Sequence, residues 1–447
     1  MTLSINSVLD FLNNIGSDFS IQNKKLSKNR NKKLTIQDVF LFSLLYTQLH
    51  TTQESISNKI NCNKIKRNMC NYDTKFFYAT SITSKLDNIN IDVFKNIYNH
   101  MNEYYENTFN KHSSFLAVDG VYNNTNILHN NNLETNMNLC IYDVKNNYPI
   151  DIIFSDVGKK NNEIKILTQQ IENNLNYFNN KCLICDRAYF SYALFEYLHK
   201  NNIKYIIRVK QNISNKTIEK YDNMRIVKRA HVSKQYEKII IATNLLKTEY
   251  SDNSILKLYG KRWNIEEYFK HLKKNNKFQN ITLHTKERLF KHYYSIEIIN
   301  KIKHILLELY KYKTNYKEKT ITNKNGEKLK THINENIVMD VLYDEFLYDI
   351  VYGTFDEKAL CIFINSIKIN KNIINVHNER ISKTPFTKWY IKGYHNKQNN
   401  INEQYSKKYK TLQDPVIKQE LKRQIKEESN IKAKRKTIIA NINMHNK

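Results

Sequence analysis

The chain has 447 residues, with 71 Lys and Arg against 43 Asp and Glu, a formal net charge of +28. That length supports a large core or two to three domains, and that charge points to a polyanionic partner. The longest apolar run, Val39 to Tyr46, is far too short to span a bilayer and no signal peptide is visible, so the expectation is a soluble, intracellular protein with no membrane partner.

Asn, Ile, Lys and Tyr are abundant while Gly (7) and Pro (3) are scarce, the texture of AT-rich coding, so part of the charge is compositional. Asn runs such as Asn130 to Asn132 belong to the same drift and to loops. Of Cys62, Cys70, Cys140, Cys182, Cys185 and Cys361, only Cys182 and Cys185 form a CxxC. On a strand their thiols point to opposite faces and cannot chelate one metal, so they read as core residues in a reducing compartment.

Residues 1–110 read as a helical N-terminal DNA-binding domain. Thr35-x-x-Asp38 resembles a capping box before VFLFSLLY, and Thr51-x-x-Glu54 opens a second helical segment. Glu54 to Met69 is compatible with two short helices around Asn61-Cys62-Asn63, the second carrying Lys64, Lys66 and Arg67, or simply with a helical domain that has a basic face. The run Lys24, Lys25, Lys28, Arg30, Lys32, Lys33 suits a phosphate-contacting arm or a solvated linker.

From Phe115 the texture changes. FLAVD, LCIYD and YPIDIIFSD read as a three-strand meander, EIKILTQQIENNLNYF as a helix, KCLICDRAYF as a strand ending at Asp186, Tyr192 to Asn201 as a helix and KYIIRVK as a strand. The order β-β-β-α-β-α-β predicts an α/β layered domain over 111–312. Strands one and four should end at Asp119 and Asp186, where ligands collect at the carboxyl ends of parallel neighbours. RIVKRAHV and YEKIIIATNLL make a small β insertion, about 211–253. A long helix follows from Lys286 to about Tyr312. In the basic C-terminal region, 313–447, Asn325-Gly326 signals a hairpin and VMDVLYDEFLYDIVY a helix. KTPFTKWYIKGYHNK offers Trp389 and Tyr390 for stacking on nucleic acid or for ordinary packing, and the tail from Lys418 is a charged helix or arm.

Between insertion and long helix lies LYGKRWNIEEYFKHLKK, Leu258 to Lys274, which the spacing predicts as one helix. Tyr259, Arg262, Glu266 and Lys273 then fall within an arc of roughly 60°, beside an apolar stripe of Leu258, Ile265, Phe269 and Leu272. The bland alternative is a solvated face with an Arg262–Glu266 ion pair worth a few tenths of a kcal/mol. Glu267 sits about 100° off the stripe, which leaves Glu266 as the preferred acid. Asp119, Asp186 and Glu266, if gathered, would hold two divalent cations about 3.5–4 Å apart for in-line attack on a phosphodiester.

At these residues the chain resembles the cut-and-paste insertion-sequence DDE transposases that carry the YREK signature on an RNase H-like core. LAVDGVYNN, LCIYDVKNNYPIDIIFSDVGKKNNE, LICDRAYFS, IIIATNLL and LYGKRWNIEEYFKHLKK match in order and spacing over roughly residues 110–310. The resemblance implies an RNase H-like mixed sheet flanked by helices, with a small β insertion before the last catalytic helix. It implies a metal-binding catalytic triad of Asp119, Asp186 and Glu266, with two Mg2+ ions for which Mn2+ can substitute. Tyr259, Arg262, Lys273 and Lys270 are implied DNA contacts, and Arg187 is either a phosphate contact or one end of a structural salt bridge. The implied partners are double-stranded DNA (transposon ends and target) and a second copy in a dimeric synaptic complex. The implied setting is a compartment with access to DNA: prokaryotic cytoplasm, a nucleus or a viral factory. Relatives that excise through a hairpin stack a flipped base on an insertion Trp. Here Trp263 and Trp389 lie outside the insertion, and Tyr221 or Tyr236 could substitute, the alternative being that each is an ordinary strand residue. The competing functions are a domesticated sequence-specific DNA-binding protein and an RNase H-like nuclease without strand transfer.

Overall fold

A computed structural model describes residues 3–375 apart from 24–33, 67–76, 130–131, 156–162, 211–212, 214–218, 222, 229–238, 279–280, 282, 318–319, 323–327 and 369–370. The basic arm, Tyr236, Trp389, Tyr390 and the C-terminal tail lie outside the described residues.

Helices α1 (Ile5–Gln22), α2 (Ile36–Leu45), α3 (Gln53–Lys66), α4 (Ala79–Asp87) and α5 (Ile91–Thr108) precede the sheet. The Thr35/Asp38 capping box is formed at α2. At α3 the capping hydroxyl is Thr52, accepting from Ser55 N at 3.1 Å, one residue on from the Thr51 expected. Nor is there a turn at Asn61-Cys62-Asn63, because α3 runs through it unbroken. Lys64, expected on an exposed basic helix, points inward and pairs with the buried Asp38 at 2.7 Å. Asp38 also accepts from Tyr352 Oη at 2.7 Å and from Thr35 N at 2.7 Å. A buried carboxylate needs that full set of donors, which is why the lysine is drawn from solvent.

The sheet contains β1 (Phe115–His129), β2 (Asn132–Asp143), β3 (Tyr148–Phe154), β4 (Cys182–Cys185), β5 (Lys204–Arg208), β6 (Arg225–Lys228) and β7 (Ile240–Thr243), in the order β3-β2-β1-β4-β5-β7-β6. The antiparallel meander continues into parallel β4 and β5, the mixed RNase H-like arrangement expected. The described insertion strands extend the far edge of the same sheet: β7 pairs antiparallel with β5, and β6 with β7. Alternation divides the core. Leu116, Val118, Leu183, Cys185, Tyr205 and Ile207 meet α6 (Glu163–Asn173) and α8 (Tyr192–Lys200), numbered with the single turn Leu175–Phe178 as α7. Ala117, Cys182, Ile184 and Ile206 face the opposite cluster, so the two CxxC thiols do point apart.

The predicted single helix around Glu266 is two: α9 (Asp252–Gly260) and α10 (Trp263–Asn275). Between them Arg262 N bonds Tyr259 O, Asn264 N bonds Lys261 O and Ile265 N bonds Arg262 O, a tightened three-residue repeat. Gly260, in open space, stands at the break. Ile265, Phe269 and Leu272 of α10 cover the Ala117–Ile184–Ile206 face. α11 (Lys286–Thr314) is followed by antiparallel β8 (Thr320–Thr322) and β9 (Lys328–Ile333), the strands of the expected hairpin. Then come α12 (Glu335–Val341), a π-helical turn (Leu342–Phe346), α13 (Leu347–Tyr352), α14 (Glu357–Lys368) and β10 (Lys371–Asn375). The N-terminal helices, α11 and α12 to α14 share one buried cluster with one face of the sheet. No described helix is long and apolar enough to cross a membrane.

Candidate active site

The sheet register brings the first two acids together. Val118 of β1 lies opposite Cys185 of β4, so the next position along each parallel strand is Asp119 and Asp186. Asp119 does not end its strand as expected: β1 runs on to His129 beside β2, and Asp119 marks where β1 outruns β4. β4 does stop before Asp186, whose Oδ1 accepts from Ala188 N at 2.7 Å and caps the 3₁₀ turn Arg187–Tyr189. That turn leaves Arg187 exposed.

α10 brings the third acid. Arg262, at its N-terminal cap, bridges two carboxylates: Nη1 donates to Asp119 Oδ2 at 3.3 Å and Nη2 to Glu266 Oε1 at 2.7 Å. Its guanidinium also lies 5.9 Å from the Tyr259 ring centroid. Glu267 faces away: its Oε1 accepts from Trp263 Nε1 at 2.9 Å and Lys270 Nζ at 2.6 Å, and Lys270 lies 5.2 Å from the Trp263 ring. Lys270 is thus engaged on the outer face of α10, while Lys273 is half-buried and burial lowers its pKa. Tyr221, the alternative base-stacking residue, is buried, with its ring stacked on His199 at 4.8 Å.

The electrostatics are those of crowded acids. Burial pushes Asp119 up to about 7; Arg262 opposes this, and Asp186, Glu266 and Glu163 add to it. Glu266 is raised by burial against the pull of Arg262. For Arg262, burial works against the charge, but Tyr259 and the three acids outweigh it and raise its pKa. Two members of this neighbourhood carried no signal on their own in the sequence. Glu163 opens α6 after an Asn-rich stretch, and its carboxylate sits where a Cβ on Gly120 would be, accepting from Tyr122 Oη at 3.1 Å. Arg208 closes β5, and only strand register reveals its place.

The oxygen donor set suits a hard divalent cation. As the side chains stand, with Arg262 bridging Asp119 and Glu266, no group of three His, Cys, Asp or Glu among the described residues is spaced to hold a metal ion. Asp119 and Asp186 stand side by side at one end of the sheet, and the Arg262 guanidinium lies between Asp119 and Glu266.

Residues 135–299 match the family model described as "Transposase DDE domain". The match includes Asp186 and Glu266 and begins after Asp119. No curated protein matches the chain. Among solved structures, the chain is similar to the piggyBac transposase in a synaptic complex with hairpin DNA, at 10% identity over 80% of this chain and 84% of that one, with a TM-score of 0.41.

Proposed function

We propose that this chain, which carries a match to a transposase DDE domain over residues 135–299, cuts DNA at the ends of a mobile element and joins the freed 3′-hydroxyl to target DNA. The observation that carries the reading is the register placing Asp119 beside Asp186, on the face where Arg262 ties Asp119 to Glu266. Asp119, Asp186 and Glu266 would hold magnesium. When bound, divalent metal supplies an activated water or 3′-hydroxyl and stabilises the leaving oxygen. The chain's own residues would position DNA: with Asp119 and Glu266 engaged as metal ligands, Arg262 would be a cation for backbone phosphate beside Tyr259, with Lys273 and the outer Lys270 further along α10. The helical region 1–110 and the net positive charge serve DNA binding, with two copies pairing two element ends.

The test supplies DNA bordering the gene, magnesium and target DNA, and looks for joined products. Cleavage without joining would replace transposition with a nuclease function. Glu266→Gln should abolish cleavage and leave DNA binding intact, while Glu267→Gln should be mild. The reverse pattern would assign the wrong acid.

A further inference from the structure

The row that places Asp119 beside Asp186 has a third member. In the parallel pair β4–β5, Cys185 lies opposite Ile207, so Asp186 is followed across the sheet by Arg208. Two residues earlier, Ala117, Ile184 and Ile206 all enter the core cluster covered by α10. By alternation Asp119, Asp186 and Arg208 share that face, at one level, on successive strands about 4.8 Å apart. Arg208 is half-buried, and its charge acts on the Tyr259 hydroxyl, which Arg262 also influences. Tyr259 therefore lies within the influence of two guanidinium groups that differ in placement. One is carried by the junction of α9 and α10 and bridges two carboxylates; the other is carried by a paired strand one step beyond Asp186.

We propose that Arg208 is a phosphate-binding residue of this site, gripping a DNA backbone phosphate adjacent to the one presented to Asp119 and Asp186. The inference rests on the transposase reading above and adds a residue to it. A planar guanidinium matches two phosphate oxygens at once, and a strand flanked on both sides by hydrogen-bonded neighbours fixes its position better than a loop would. An acid pair with a cation one strand away fits a strand of DNA laid across the sheet end, the reacting phosphate at the acids and its neighbour at the arginine.

The experiment is metal-free, by fluorescence anisotropy in EDTA, with a duplex oligonucleotide carrying the DNA that borders the gene. Arg208→Ala should weaken binding about tenfold and make the log–log salt dependence shallower by about 1. Arg208→Lys should restore the slope but only part of the affinity, since an ammonium does not bind bidentately. A neutral methylphosphonate next to the scissile position should cost the full-length protein about as much as Arg208→Ala does, and cost that variant nothing further. Unchanged affinity and slope, or fully additive losses, would overturn the assignment. If Arg208→Ala lowers the melting temperature, Arg208→Gln, which keeps length and hydrogen-bonding capacity, carries the same comparison. Failure of the transposase reading looks different: the unaltered protein would then show no preference for the bordering DNA over an unrelated duplex.

Discussion

Two regions of this protein gather charge away from water, and they handle it in opposite ways. Along α11 the buried ionisable groups are matched by hydrogen-bond partners, although burial still pushes Glu297 up to about 7 and Lys301 down to about 7. Both oxygens of Glu297 lie 2.9 Å from the Tyr268 hydroxyl, and Lys301 donates to Pro149 O at 3.1 Å with the Tyr148 ring 4.3 Å away. Lys303 pairs with Glu335 at 2.8 Å, and Lys291 bonds the last carbonyls of α4 at Leu86 and Asp87. At the sheet end, Asp119, Asp186, Glu266 and Glu163 raise one another's pKa or that of a neighbour, and one guanidinium bridges two of them. The contrast teaches that burial of polar groups does not by itself mark a working site. Matched charge fixes a structure; unmatched charge of one sign is held by the fold for a ligand to neutralise.

The comparison can be broken first at its structural pole. Glu297→Ala removes the acceptor of the buried Tyr268 hydroxyl and leaves a void. An orphaned buried hydroxyl together with the void costs about 3–5 kcal/mol, measured by urea unfolding. Glu297→Gln keeps shape and one acceptor and should cost clearly less. A loss under about 1 kcal/mol for the alanine variant would mean that the α11 charges are not structural.

How much of this was legible in the sequence depends on whether the signal was local. The succession of strands and helices over 115–208 could be read because apolar alternation and turn residues are local features. The acid pair could be read because Asp follows an apolar strand twice. The break at Gly260 to Arg262 could not, since the apolar stripe runs from Leu258 before it to Ile265, Phe269 and Leu272 after it and masks the change of pitch. Lys64 looked solvated because a lysine's partner, here Asp38, is a long-range fact. Arg208 is one of two cations that bracket a short apolar strand, and its place beside Asp186 appears only once Cys185 is set against Ile207.

A second test uses pH. His292 is buried, and its Nε2 donates to Lys277 O at 2.7 Å. Burial lowers its pKa to about 4; the Lys277 carbonyl opposes this and the Lys277 charge adds to it. A histidine with a depressed folded pKa contributes stability that is fully present above its unfolded value, about 6.5, and is lost as pH falls through the folded one. The gap corresponds to about 3 kcal/mol. Urea midpoints should therefore fall between pH 6.5 and 4, and His292→Gln should flatten that fall by about this amount relative to the unaltered protein. Parallel pH curves would show that His292 takes up its proton as readily in the fold as in the unfolded chain.

The smallest effect is the sharpest, because its sign is opposite. Asp119→Asn keeps shape and removes one negative charge from a buried cluster in which burial and three other acids already disfavour it. Arg262 loses its longer contact, 3.3 Å, and keeps the 2.7 Å pair with Glu266. The balance should stabilise the protein at pH 8 by about 1 kcal/mol, read as a melting temperature a few degrees higher. Magnesium should raise the melting point of the unaltered protein by binding the folded state and have much less effect on the variant, since the ligand set is then incomplete. A variant that melts lower than the parent would make Asp119 another matched charge, and the sheet end would then differ from α11 only in its exposure.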